Sequence, residues 1–386
     1  MDGKRALDLA LALGDDLGRP GQEADVGPDL AGGRAGIALF LSTLWQAAGR
    51  DADADAAVSH LGAAVEASVS GGAPSELAAG LFEGQAGVAW VVDRLAADLV
   101  DLDTDPNEGL DRALVRLIAD APGDDPYDLI SGLAGFGVYA AARLPRPEAA
   151  SALTLIVRRL AETARARDGG LTWWTPPALL PEWQRKTYPD GYYDVGVAHG
   201  VAGVIAVLAR CDRAGVAAGE ARRLLDGAVT WLLAQRLPPG GPTTFPSVTF
   251  PGVGPWPARS AWCYGDPGIA ATLLAAARAV RRPWWEAEAV TIGVRAAARP
   301  AADSGVSDAS LCHGAAGLAH IFTRLWAASD DPRLADAARF WLDRTVQLLP
   351  ELDAPGFLEG RAGGGLALLA AATDIEPVWD DVLLLS

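Results

Sequence analysis

The sequence is short of the residues that staple, ligate or span. Three cysteines and four histidines occur in 386 residues. Three cysteines cannot close a disulfide framework, so a special role for them is metal binding or catalysis. No segment reaches the roughly 18 unbroken apolar residues that a membrane span needs. The start, Met1-Asp2-Gly3-Lys4-Arg5, runs into an amphipathic stretch broken by Asp8, Asp15 and Asp16, without the apolar run or cleavage pattern of a secretory signal. These absences predict a soluble, cytoplasmic protein with no membrane span. Basic residues are outnumbered 49 to 32, and a net charge of −17 leaves no concentrated basic face for nucleic acid. A monomer is the default, since no apolar oligomerisation segment stands out.

What is present is repetition. Half the residues are hydrophobic, enough for a large core, and one phrase, Gly-x-x-Gly leading into an apolar helix, recurs seven times. The copies begin at Gly33, Gly84, Gly132, Gly200, Gly265, Gly314 and Gly360. Two glycines ahead of a helix suit a tight turn and a close backbone approach. The segments after them (Ile37 to Trp45, Val201 to Leu208 and Gly364 to Ala372 are examples) are apolar nearly all round, which predicts buried inner helices. Between them lie amphipathic segments, roughly 4–18, 51–69, 108–121, 147–166, 216–237, 283–298 and 331–349, which predict an outer layer. Seven such pairs stack as an open solenoid or close into a ring. The last copy lacks a polar capping variant, which favours closure. The expected fold is all-α, an α/α toroid or double seven-helix barrel, with residues 1–386 as one domain and the inner-helix N-termini gathered at one end.

Two connections, about 167–198 and 238–262, are longer than the rest, and long loops in a compact domain are usually functional or disordered. The first carries Trp173, Trp174, Trp183, Tyr188, Tyr192 and Tyr193, and the second Phe245, Phe250 and Trp256 with Val248-Thr249. Such composition predicts short strands or ordered loops. They either wall a cleft or cover one end of the toroid.

Cys263 and Cys312 precede the fifth and sixth copies, and His313 follows Cys312 directly. In a closed toroid, residues just ahead of the inner helices face one funnel, so these three converge. Two thiolates and an imidazole suit zinc, and three protein ligands with an open fourth position make the catalytic kind of site. Helix N-termini favour the thiolate forms. Cys211 sits inside an apolar helix and reads as a small buried hydrophobe. His60 and His320 lie in helices away from the repeated starts and read as ordinary histidines. His199 stands immediately before Gly200, the place taken by His313, Tyr264 and Ser131 in other copies, and it titrates near neutrality. Tyr264 joins it as a candidate catalytic residue. Asp128 and Arg259 each lie four residues before a motif residue, and by type alone each reads as a cap or ion-pair partner.

Taken together, Ala198-His199-Gly200, Trp262-Cys263-Tyr264-Gly265 and Leu311-Cys312-His313-Gly314 resemble the signatures, in order, of the LanC family of lanthipeptide cyclases. The resemblance covers nearly the whole chain. It implies one zinc ion held by Cys263, Cys312 and His313, with His199, Asp128 and Arg259 at the family's acid-base and supporting positions. The implied reaction is Michael-type addition of a peptide cysteine thiol to dehydroalanine or dehydrobutyrine, giving a thioether ring in a dehydrated precursor peptide. A dehydratase and a transporter are the implied partners, and the absence of a dehydratase-sized N-terminal region points to a stand-alone cyclase. The competing readings are a related enzyme adding glutathione or another external thiol, a zinc-dependent prenyl transferase on an α/α barrel, and a non-catalytic scaffold with structural zinc. The acidic chain shows no basic diphosphate pocket, and a structural zinc would need a fourth protein ligand.

Overall fold

The computed structural model describes residues 3–19, 26–70, 79–96, 98–99, 104–121, 126–250 and 256–386; residues 251–255 of the second long loop therefore lie outside the described part. Fifteen α-helices occur among the described residues: α1 (Gly3–Leu17), α2 (Arg34–Ala48), α3 (Asp51–Ser70), α4 (Gln85–Ala96), α5 (Glu108–Asp120), α6 (Leu133–Ala142), α7 (Pro147–Thr163), α8 (Glu182–Thr187), α9 (Val201–Arg213), α10 (Ala218–Ala234), α11 (Asp266–Ala279), α12 (Pro283–Ala297), α13 (Ala315–Ser329), α14 (Pro332–Leu348) and α15 (Arg361–Ala372). All but α8 follow the expected pattern; α8 is a short helix inside the first long loop, where strands or ordered loops were expected. Helix α9 buries every residue from Val201 to Cys211, whereas α7 buries only Ala149, Ala152, Leu153, Ile156, Val157 and Leu160, the one-sided stripe of an outer helix.

The chain forms two compact units, residues 1–113 with 306–383 and residues 114–305 with 384–386. In the first, the inner helices lie in the order α4, α2, α15, α13, and α3 and α14 back α2 and α13. Helix α1 packs chiefly on α15 rather than on α2, its neighbour in sequence, and Asp16 pairs with Arg361 across that contact. The first outer helix thus completes the last pair, a contact between chain ends that an open solenoid lacks. In the second unit the inner helices run α6, α9, α11, backed by α7, α10 and α12.

The repeated glycines have a common physical reason. At Gly36, Gly87, Gly203, Gly268, Gly317 and Gly363, a Cβ would lie closer than 3.0 Å to the carbonyl oxygen of the residue six positions earlier. The second glycine of these six phrases therefore lets the preceding loop fold back onto the first helical turn. That loop also caps the helix. Inner helices α2, α6, α9, α11, α13 and α15 have no side-chain cap. Instead, first-turn N–H groups donate to loop carbonyls seven residues back: Arg34 to Gly27, Leu133 to Pro126, Ala315 to Asp308 and Arg361 to Ala354.

The two long loops do form strands. β1 (Arg165–Arg167) and β2 (Gly170–Thr172) make a hairpin turned by Asp168 and Gly169, both at positive φ, the two-residue turn whose twist matches the strands. β3 (Trp174–Thr175), β4 (Tyr192–Asp194) and β5 (Val248–Thr249) form an antiparallel sheet that ties the loops together. A small core of Leu180, Tyr192 and Val248, with Tyr188 and Phe250 against it, backs this sheet.

In the first unit, the fully buried Asp380 accepts hydrogen bonds from His320 (2.7 Å) and Arg324 (2.6 Å) and fixes the 3-10 turn Val378–Leu383 against α13. Burial raises this carboxyl's pKa, but the His320 and Arg324 contacts outweigh it and hold the group below its ordinary value. A depressed carboxylate pKa contributes stability above the unfolded value of roughly 4 and loses it as pH falls through the folded value. Asp380→Asn is expected to destabilise by about 3 kcal/mol at neutral pH, with the gap to the parent closing in acid, as read from urea unfolding across pH. In the repeats, Gly363→Ala is expected to cost about 1–3 kcal/mol through overlap with the Phe357 carbonyl. Gly62→Ala, on the open face of α3 where nothing lies within 4 Å, should instead gain about 0.5–1 kcal/mol; thermal melts of the two variants read both signs.

Candidate metal and acid-base site

Cys263, Cys312 and His313 sit at the ends of the loops that fold back onto α11 and α13, placed by the close approach of Gly268 to the Trp262 carbonyl and of Gly317 to the Leu311 carbonyl. Their backbones are pinned to neighbouring copies. The Cys312 N–H donates to Leu358 O (2.9 Å), and Cys263 O accepts from Val197 (2.9 Å) and Ala198 (3.3 Å). One ligand atom from each of Cys263, Cys312 and His313 lies within 4.8 Å of the other two. Two sulfurs and an imidazole nitrogen so gathered are a soft donor set suited to zinc. The first-turn N–H groups expected to favour the thiolates are taken up by loop carbonyls: Gly268 donates to Ala261, Ala315 to Asp308 and Gly317 to Ser310. Asp308 Oδ2 lies 3.6 Å from His313 Nε2, and Glu359 Oε1 lies 3.7 Å from Nδ1.

His199 stands at the turn before α9, with its Nδ1 3.3 Å from Asp128 Oδ2. The other oxygen of Asp128 accepts the Ser131 N–H at 2.9 Å, so the carboxylate is anchored to its own loop. The imidazole lies roughly parallel to the Tyr264 ring, centroids 6.3 Å apart. Its side chain keeps 43% of its surface open although protein atoms crowd around it. That crowding lowers the pKa, but the hydrogen bond and charge of Asp128, with the charges of Asp194 and Cys263, outweigh it and raise the group to about 9. His199 is therefore an imidazolium at neutral pH.

Tyr264 donates its hydroxyl to Asp194 Oδ2 at 2.9 Å. Asp194 was not among the residues singled out in the sequence. It ends β4, is fully buried, and accepts the Gly196 N–H at 2.8 Å through Oδ1. Burial lifts its pKa to about 6 against the opposing pull of His199, Gly196 and Tyr264; burial and Asp194 together push the Tyr264 phenol well above its usual value. A signal was available, because Asp194-Val195-Gly196 and Asp308-Ala309-Ser310 occupy the same place six residues ahead of a repeat glycine. Arg259 is exposed and makes no ion pair among the described residues; its carbonyl packs beneath Gly265, which sits at φ 132°. The remaining cysteine and histidines lie apart from this arrangement. Cys211 is buried in α9, where burial pushes its thiol up to about 12; His60 bonds Leu17 O, and His320 bonds Asp380.

With this geometry in place, the comparisons with known proteins are specific. A family model described as "Lanthionine synthetase C-like protein" matches residues 24–384. The chain belongs to that family. Among solved structures, nisin cyclase superposes with a TM-score of 0.81 at 23% identity, covering 99% of this chain and 97% of that one. A sugar epimerase from a ruminal bacterium matches at a TM-score of 0.46 and 11% identity. The α/α toroid expected from the sequence is accordingly the fold of this lanthionine synthetase C-like chain.

Removing Asp128's charge should lower the His199 pKa. In the metal-free protein, the imidazole is expected to titrate near 9 and to shift downward in Asp128→Asn, as followed by the ring proton resonances across pH. A parent imidazole titrating near the ordinary value of roughly 6.5 would contradict the Asp128 contact.

Proposed function

We propose that this chain is a zinc-dependent lanthipeptide cyclase, joining cysteine thiols of a dehydrated precursor peptide to dehydroalanine or dehydrobutyrine residues as thioether rings. The observation carrying this reading is the gathering of Cys263, Cys312 and His313 as a three-membered donor set in a chain of the lanthionine synthetase C-like family. The fold shared with nisin cyclase supports the substrate class. A purely structural zinc would call for a fourth protein ligand, and the group found among the described residues has three.

Cys263, Cys312 and His313 would hold one zinc ion per chain. Bound there, zinc supplies the acidification that makes a substrate thiol a thiolate near neutral pH. The remaining steps belong to the chain's own residues. Addition forms the bond between sulfur and the β-carbon, breaks the carbon–carbon π bond, and leaves an enolate-like charge that takes a proton at the α-carbon. His199, whose pKa the Asp128 contact raises, is the general acid for that proton, and Asp128 holds its ring through Nδ1. The thiol proton passes to solvent at the start of the cycle, and His199 takes a proton back from solvent after giving its own to the α-carbon, so the cycle balances. Tyr264 flanks the imidazole and orients the reacting peptide. Arg259, exposed and unpaired among the described residues, is free to meet the developing oxyanion. Residues 1–386 act as one catalytic domain in this reading, with the peptide as partner and the cytoplasm as its compartment.

Two measurements test it. Elemental analysis after removal of loosely bound metal is expected to give one zinc per parent chain and a large loss in Cys312→Ala; equal metal in both would remove the ligand assignment. With a dehydrated peptide as substrate, ring formation is followed by loss of alkylatable thiol. His199→Ala is expected to keep its zinc and to slow cyclisation by about 10²–10⁴-fold, and unimpaired cyclisation would remove the acid assignment.

A further inference from the structure

We propose that Asp194 is a positioning residue for this reaction, holding the Tyr264 hydroxyl so that Tyr264 meets the peptide as a hydrogen-bond acceptor. The inference rests on the cyclase reading above and deepens it.

Three loop aspartates share one construction. In each, one carboxylate oxygen accepts an N–H of its own loop, and the other reaches a side chain standing immediately before a repeat glycine. Asp128 binds the Ser131 N–H and faces His199. Asp194 binds the Gly196 N–H and accepts from Tyr264. Asp308 binds the Ser310 N–H at 2.7 Å and faces His313. For the first two, the aspartate of one copy holds the residue before the glycine of the next copy: Asp128 of the third holds His199 of the fourth, and Asp194 of the fourth holds Tyr264 of the fifth. If Asp128 positions His199, the same geometry gives Asp194 that relation to Tyr264.

The chemistry distinguishes this contact from generic support. A phenol has one proton to donate. With that proton committed to Asp194 at 2.9 Å, the oxygen offers only lone pairs, and the group it meets must be a donor such as a peptide N–H or the substrate thiol. A fully buried carboxylate is costly unless hydrogen-bonded, and Tyr264 and Gly196 supply the bonds that hold Asp194 there. The carboxylate is held in place by the Gly196 N–H at Oδ1, and it lies so close to Gly200 that a Cβ there would come within 2.5 Å of it. Asp194→Asn keeps the shape and the Gly196 contact but turns an NH2 group toward the phenol oxygen. The Tyr264 hydroxyl would then donate outward, the reverse of its role in the parent.

The test uses the zinc-loaded full chain and a dehydrated peptide, comparing the parent, Asp194→Asn, Tyr264→Phe and the double variant for kcat, KM, zinc content and melting temperature. Each single variant is expected to lose about tenfold or more in kcat through misplacement of the reacting groups, with zinc content unchanged. The double variant should lose no more than the worse single one, since both remove the same oriented hydroxyl. A slowly exchanging tyrosine hydroxyl resonance, absent in Tyr264→Phe, should also vanish in Asp194→Asn. Losses that multiply in the double variant, or a hydroxyl resonance unaltered in Asp194→Asn, would overturn the proposal while leaving the cyclase reading intact. A parent that forms no rings would overturn both.

Discussion

The close approach between each inner helix and the loop before it is the constraint on which the rest depends. In six of the phrases the second glycine leaves no Cβ to hold the loop off, so the carbonyl six residues back lies against the first turn, and at α2, α6, α11, α13 and α15 carbonyls seven back cap first-turn N–H groups. Backbone, rather than side chain, thereby satisfies the helix start. The helix start therefore asks nothing of the side chains at the loop tip. Cys263, Cys312, His313, His199 and Tyr264 all stand in that short stretch between the folded-back loop and the helix, where position is fixed and identity is free to vary from copy to copy.

Hydrogen bonds between neighbouring loops join the tips within each unit. In one unit they run from Phe82 through Ala31 and Leu358 to Cys312, and in the other from Leu129 through Ala198 to Cys263. A site built this way rests on main chain at both ends, which suits chemistry that tolerates little displacement of its reacting groups. The carboxylates add the electrostatic half. Asp128 and Asp194 together keep His199 charged, and the cost of burying Asp194 appears as its own raised pKa.

Much of this was legible in the sequence because repetition converts position into geometry. The seven phrases predicted the inner helices and the end at which they begin, and the apolar character of α9 against the one-sided α7 separated the two layers. The gathering of Cys263, Cys312 and His313 followed from their equivalent places. The pairing of α1 with α15 was less accessible, since neighbours in sequence are the ordinary partners and the amphipathic pattern of α1 does not name its target. Asp194 was hidden for a different reason. In a run of Tyr192, Tyr193 and Asp194 the aspartate looks like a strand end, and its hydrogen-bond partner is a tyrosine 70 residues away. The meeting of the two aromatic loops in one sheet likewise needed a pairing that strand propensity alone does not specify.

The partnership of α1 with α15 also sets an order in time. Helix α1 leaves the ribosome ahead of the other helices of the fold, with Ala6, Ala10, Leu13 and Leu17 on the face it will bury, while Arg361, the start of its main partner, is made 344 residues after Leu17 (361 − 17). At roughly 5–20 residues per second, that face waits about 20–70 s for its match. The remaining pairs can assemble as they emerge, each inner helix followed directly by its outer one. Only the seventh needs two helices this far apart in sequence, so it is the last of the pairs to form.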